Sequence, residues 1–121
     1  MKLMIVDDSN IMRRAIQKYL APFNMELAAM AADGITALRL FAQHRPDVVT
    51  MDITMPELDG LGCLVEMLKI KPETRVLIVT ALSDPETGLD AVRKGAKGYL
   101  TKPFSQEQLR EEITHILGGM S

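Results

Sequence analysis

Short, wholly apolar runs alternate along this chain with segments in which apolar residues return every three to four positions. The first kind of pattern predicts a strand, the second one face of a helix. Leu3-Met4-Ile5-Val6 is the first strand. Met12, Ala15, Ile16, Tyr19 and Leu20 form the first helical stripe, with Arg13, Arg14, Gln17 and Lys18 on the opposite face. Pro22 and Asn24 close that helix. Met25–Ala32 is the weakest strand, rich in alanine, and Asp33-Gly34 reads as a turn. Ile35, Leu38, Phe41 and Ala42 make the second stripe. Val48-Val49-Thr50-Met51 is the third strand, and Leu61, Leu64, Val65 and Leu68 give the third helix its apolar side. Val76-Leu77-Ile78-Val79 is a continuous apolar run, as expected of a strand covered on both faces. Ser83 or Asp84 is placed to cap a fourth helix, with Pro85 at its first position and Leu89 and Val92 on its apolar side. Gly95 and Gly98 bracket the approach to the fifth strand, Tyr99-Leu100-Thr101. Ser105 and Gln108 form a capping box ahead of the stripe Leu109, Ile113, Ile116 and Leu117, which Gly118-Gly119 stops.

Five strands alternating with five helices predict a parallel sheet with right-handed crossovers and helices on both faces. The expected fold class is therefore α/β, an open, doubly wound (βα)5 sandwich. Ligands of such sheets bind at the carboxyl ends of the strands. The 121 residues suit one domain, expected to run over 1–121. With 47% apolar and 25% charged residues the composition is globular. A net charge of −2, with two Tyr, three Phe and no Trp, argues against a nucleic-acid surface. One Cys and two His exclude a disulfide framework and the usual zinc site. No apolar run approaches the ~20 residues of a membrane span, and Met1 leads into Asp7-Asp8 rather than into a secretory leader.

Four of the five strands end in a polar group. The first ends in Asp7 and Asp8, the third in Asp52, the fourth in Thr80 and the fifth in Lys102. Parallel strands bring these ends to one edge. Each group alone has a bland role: Asp7, Asp8 and Ser9 can cap a helix, and Thr80 can serve as a β-branched strand residue. Together they make a charge problem. Three carboxylates crowd one another unless cations balance them; Lys102 supplies one positive charge and a divalent ion two. Oxygen-only ligands suit Mg2+. An Mg2+ ion, a lysine, a threonine hydroxyl and a free carboxylate suit phosphoryl chemistry with the carboxylate attacking in line.

Two rivals share the architecture. A nucleotide- or flavin-binding domain needs a glycine-rich loop after the first strand, where this chain has Asp7-Asp8-Ser9-Asn10. A small Mg2+-dependent phosphatase needs a substrate pocket and a dedicated acid/base group, and turnover of a generic phosphate ester would reveal it.

The segments Ile5-Val6-Asp7-Asp8-Ser9, Met51-Asp52-Ile53-Thr54-Met55-Pro56 with Asp59-Gly60, Val79-Thr80-Ala81, Gly95-Ala96-Lys97-Gly98-Tyr99 and Lys102-Pro103-Phe104 resemble the receiver domain of two-component response regulators. Within that family the chain resembles the CheY-like, single-domain chemotaxis branch. The resemblance implies a flavodoxin-like sheet of order 2-1-3-4-5. It implies that Asp52 is the phosphoacceptor, charged by a sensor histidine kinase. Asp8 becomes a direct Mg2+ ligand, Asp7 acts mainly through water, and Asp52 and the Thr54 backbone carbonyl complete the protein's share of the metal shell. Lys102 pairs with Asp52 and a phosphoryl oxygen, and the Lys102–Pro103 peptide is cis.

The resemblance also implies a switch. The Thr80 hydroxyl moves toward the phosphoryl group and Tyr99 turns inward behind it. The fourth helix, fifth strand and fifth helix then present an altered face, with Arg93, Lys97, Tyr99, Gln106, Glu107 and Arg110 on it, to a downstream protein. Thr54 and Leu82 flank the path of a hydrolytic water, and the protein is expected to dephosphorylate itself without being an enzyme. A flagellar motor switch is the target in the chemotaxis branch. A phosphorelay intermediate and the receiver of a longer regulator are the alternatives. A cytoplasmic monomer that binds neither nucleic acid nor membrane is expected. A chain complete at 121 residues has no output domain and must act by binding another protein.

Overall fold

In the computed structural model, which describes residues 1–54 and 59–118, strands and helices alternate along the chain. They are β1 (Lys2–Val6), α1 (Asn10–Tyr19), β2 (Glu26–Ala31), α2 (Gly34–His44), β3 (Val48–Met51), α3 (Gly60–Ile70), β4 (Arg75–Thr80), α4 (Pro85–Arg93), β5 (Gly98–Thr101) and α5 (Gln106–Leu117), with one 3-10 turn at Ala21–Phe23. All strand pairs are parallel and the sheet order is β2-β1-β3-β4-β5. The expected doubly wound α/β sandwich is the observed one.

Alternation along the strands divides the core into two layers. Met4 and Val6 of β1 face one side with Phe41 of α2, Leu64 and Met67 of α3 and Ala91 of α4. Leu3 and Ile5 face the other with Ile16 of α1 and Leu109, Ile113 and Ile116 of α5. Every residue of β3 is buried, and so are the last five of β4, as the continuous apolar runs required.

Each helix starts at an oxygen-bearing side chain that accepts a backbone N–H of its first turn. The caps are Ser9, Asp33, Asp59, Asp84 and Ser105, the last in a reciprocal box with Gln108. Asp33-Gly34, expected as a turn, is thus the start of α2, because the Asp33 carboxylate takes the Thr36 N–H at 2.8 Å.

Three apolar stripes differ from expectation. Ile35 and Ala42 of α2 are exposed, and Gly34, Ala37 and Phe41 face inward. In α3 the buried face is Gly60, Cys63, Leu64 and Met67, displaced by one position from Val65 and Leu68. Apolar residues cover most of both helices, so periodicity leaves the inward side open; their mutual packing selects it. Cys63 Sγ donates to the Gly34 carbonyl across that contact at 3.3 Å. In α4, Leu89 and Val92 are 51% and 52% exposed, whereas Ala91 is buried and Gly88 meets the ring of Tyr99. Small residues let α4 approach β5 closely, and that turns the large ones outward. The expected Met55-Pro56 motif and Gly119 of the stop signal lie outside the described residues.

Candidate functional site

The carboxyl ends of β1, β3 and β5 lie along one edge of the sheet because all strands are parallel, β1 pairs with β3 and the sheet continues through β4 to β5. Asp7, Asp8 and Asp52 come together there, each with a carboxylate oxygen within 4.8 Å of the others. Asp7 and Asp52 are buried and Asp8 is exposed. Lys102 reaches into the cluster from the end of β5. Its Nζ lies 2.7 Å from Asp7 Oδ2 and 3.2 Å from Asp52 Oδ2, joining residues 95 and 50 positions away. Burial disfavours the charged lysine, but the Asp7 hydrogen bond and the Asp52 charge outweigh it, so its pKa lies above the ordinary value. The Lys102–Pro103 peptide is cis.

The remaining oxygens are unequally engaged. Asp7 Oδ1 accepts the Ser9 N–H at 2.9 Å. Asp52 Oδ1 accepts both the N–H and the hydroxyl of Thr54, at 2.9 and 2.8 Å. Among the described residues nothing pairs with the Asp8 side chain, whose oxygens are free to ligate. Three carboxylates against one ammonium leave two negative charges in excess, which one divalent cation would match. The donors are all oxygen, so the set fits Mg2+ better than a thiophilic or imidazole-seeking metal. A phosphate-bearing nucleotide without a metal would meet repulsion here, which disfavours the nucleotide-binding rival.

Thr80 ends β4, fully buried, and its Oγ1 accepts the Leu82 N–H at 3.2 Å. Tyr99, opposite Ile78 on β5, donates its hydroxyl to the Leu82 carbonyl at 2.5 Å. One peptide segment thereby links the two side chains. Burial, with the nearby Asp84 charge, pushes the Tyr99 hydroxyl pKa up. The ring lies against Gly88 of α4, where a Cβ would stand 3.4 Å from two ring carbons.

Other candidates separate from the cluster. Arg110, expected on the outward face, turns its Nε to the Tyr19 carbonyl at the end of α1. Cys63 is buried with its thiol pKa pushed up to about 11, so it is an inert packing residue. A groove of about 520 Å³ runs between the start of α3 and α4, lined by Leu61, Leu89, Asp84, Asp90 and Arg93. None of the three clustered carboxylates lines it, so it is no substrate pocket for a phosphatase centred on Asp52.

Sequence reasoning missed Arg13. Placed by periodicity on the solvent face, it is half-buried and its Nη1 donates to the Asp7 carbonyl at 2.6 Å. Helical spacing carries no sign of this, because the contact is made by the far end of a long side chain.

Residues 3–114 match the family described as the response regulator receiver domain. The chemotaxis protein CheY of Bacillus subtilis is 37% identical over 116 residues, 96% of this chain and 97% of that protein. The regulatory protein AtoC of Escherichia coli is 43% identical over 116 residues, 96% of this chain but 25% of that protein. Among solved structures, the CheX–CheY–BeF3–Mg2+ complex of Borrelia burgdorferi is similar with a TM-score of 0.92 at 29% identity, over 96% of this chain and 88% of that one.

Proposed function

From the premise that the chain belongs to the response regulator receiver domain family and is CheY-like, we propose that it is a phosphorylation-activated switch whose phosphoacceptor is Asp52. The observation that carries this reading is the meeting of Asp52, Asp7 and Lys102 beside an unengaged Asp8. Receiver domains are in general phosphoacceptors rather than classical enzymes, and they bind Mg2+ at an acidic cluster of this kind.

In the proposed reaction an Asp52 carboxylate oxygen forms a bond to phosphorus as the phosphorus–nitrogen bond of a kinase phosphohistidine breaks and the imidazole leaves. Asp8, Asp7, Asp52 and the Thr54 carbonyl would hold Mg2+, with Asp8 a direct carboxylate ligand and Asp7 acting through water. The ion supplies charge neutralisation for the phosphoryl oxygens when bound. Lys102, already charged and pointed at Asp52, stabilises the same oxygens. Hydrolysis of the acyl phosphate follows from water passing Thr54 and Leu82, and returns Asp52.

The switch runs through the backbone of Leu82. A phosphoryl group on Asp52 offers the Thr80 hydroxyl an acceptor. That hydroxyl moves away from the Leu82 N–H, and the carbonyl of the same residue carries the change to Tyr99. Supporting this face as the output surface, Leu82, Leu89 and Val92 expose apolar area beside Tyr99. A downstream protein binds there, in the chemotaxis branch a flagellar motor switch. The extensive match to one quarter of AtoC favours a second reading, the receiver of a longer regulator. No helix among the described residues is long and apolar enough to cross a membrane, and we place the protein in the cytoplasm.

Incubation with acetyl phosphate and Mg2+ tests the assignment. The wild type is expected to take up one phosphoryl group and Asp52→Asn none, by intact mass. Uptake by Asp52→Asn at the wild-type rate would overturn it, and multiple turnover of a phosphate ester would favour the phosphatase reading instead.

A further inference from the structure

Asp8 stands in the carboxylate cluster although no side chain among the described residues holds it there. Its backbone does. The Asp7 N–H is tied to the Ala31 carbonyl at 3.0 Å, and the Ser9 N–H to Asp7 Oδ1. The carbonyl of the peptide that joins Asp7 to Asp8 accepts Arg13 Nη1 at 2.6 Å. The other arm of the same guanidinium, Nη2, reaches Asn10 Oδ1 at 3.4 Å. One planar fork therefore spans Asp8 and Ser9 from both sides, a grip that a lysine's single ammonium does not reproduce.

We propose that Arg13 is a positioning residue for the cation site, fixing the Asp7–Asp8 peptide so that the Asp8 carboxylate meets the geometry a small divalent ion demands. The proposal rests on Asp8 being a direct ligand. It makes a prediction opposite in sign to simple electrostatics. Removing a positive charge near a cation site strengthens cation binding, whereas removing a positioning group weakens it. Positioning also discriminates between ions, because Mg2+ requires a near-ideal octahedron and Ca2+ tolerates irregular shells.

Mg2+ and Ca2+ titrations of the wild type, Arg13→Ala, Arg13→Lys and Asp8→Ala, followed by the backbone amide signals of Ser9 and Asn10, test this. Both Arg13 variants are expected to bind Mg2+ about tenfold more weakly and Ca2+ with a smaller loss. Unchanged or tighter Mg2+ binding in either variant overturns the proposal, as does a lowered melting temperature with the Mg2+/Ca2+ ratio unaltered. If Arg13→Ala does not fold, Arg13→Lys, which keeps the charge and the stem, decides alone. An Asp8→Ala protein that binds Mg2+ like the wild type overturns the ligand reading, and Arg13's role with it. Loss of binding in Asp8→Ala with wild-type binding in both Arg13 variants overturns Arg13's role only.

Discussion

Thr50 is a hydroxyl in the wrong solvent. It sits in the middle of β3, fully buried, opposite Ile5 and Leu77, and its Oγ1 has no partner among the described residues. A buried hydroxyl without a hydrogen bond costs about 1–3 kcal/mol relative to water. Valine keeps the branched shape and discards the polar atom. Thr50→Val is therefore expected to stabilise the fold by about 1 kcal/mol, raising the melting temperature by about 4 °C. Calorimetry checks it, and a fall in melting temperature would mean that the hydroxyl is satisfied. Lys102 is the contrasting case, a half-buried cation with two carboxylate partners whose charge is stabilised rather than stranded.

At the scale of elements, α4 is the least anchored helix by its own side chains. Ala91 is its buried residue, its large apolar residues point outward, and Gly88 gives up helix propensity mid-helix to let the Tyr99 ring approach. Alanine at 88 fits at contact distance. A branched side chain does not, and Gly88→Val is expected to push the ring out and break its bond to the Leu82 carbonyl. Because burial is the main cause of the raised Tyr99 pKa, the displaced hydroxyl should titrate closer to the ordinary tyrosine value. Ultraviolet titration of the variant against the wild type measures this. An unmoved Tyr99 titration would show that the ring does not depend on Gly88 for its seat.

For the molecule as a whole, the edge opposite the site is held by Asp47. Its carboxylate accepts the Lys2 N–H at 2.7 Å and Lys71 Nζ at 2.9 Å, and its backbone bonds Lys2 and Arg75. One residue so ties β1, β3 and β4 to the end of α3. The Lys2 N–H, then Lys71, holds its pKa below the ordinary 3.8. A lowered pKa means that the native state favours the carboxylate more than the unfolded chain does. The stabilisation is complete above about pH 3.8 and is lost as pH falls through the native value. Asp47→Asn should thus be less stable than the wild type at neutral pH, and the difference should shrink in acid below that range. Denaturant melts at pH 7 and pH 3 test this; a constant difference would remove the charge from the explanation.

Much of this protein was legible in the order of its residues. Apolar runs and helical stripes are local, so strands, helices and caps such as Ser105 with Gln108 could be read where they stand. Alternation of the two implies parallel strands, and parallel strands imply that Asp7, Asp8, Asp52 and Lys102 share one edge. Tertiary structure decided what local pattern cannot hold. It chose the inward side of α2 and α3, whose apolar residues surround the helix, by packing them on each other. It turned Leu89 and Val92 outward, because Gly88 and Ala91 allowed a closer approach. It also directed the ends of Arg13 and Arg110 to backbone carbonyls, since a long side chain's destination depends on what the fold brings within its reach.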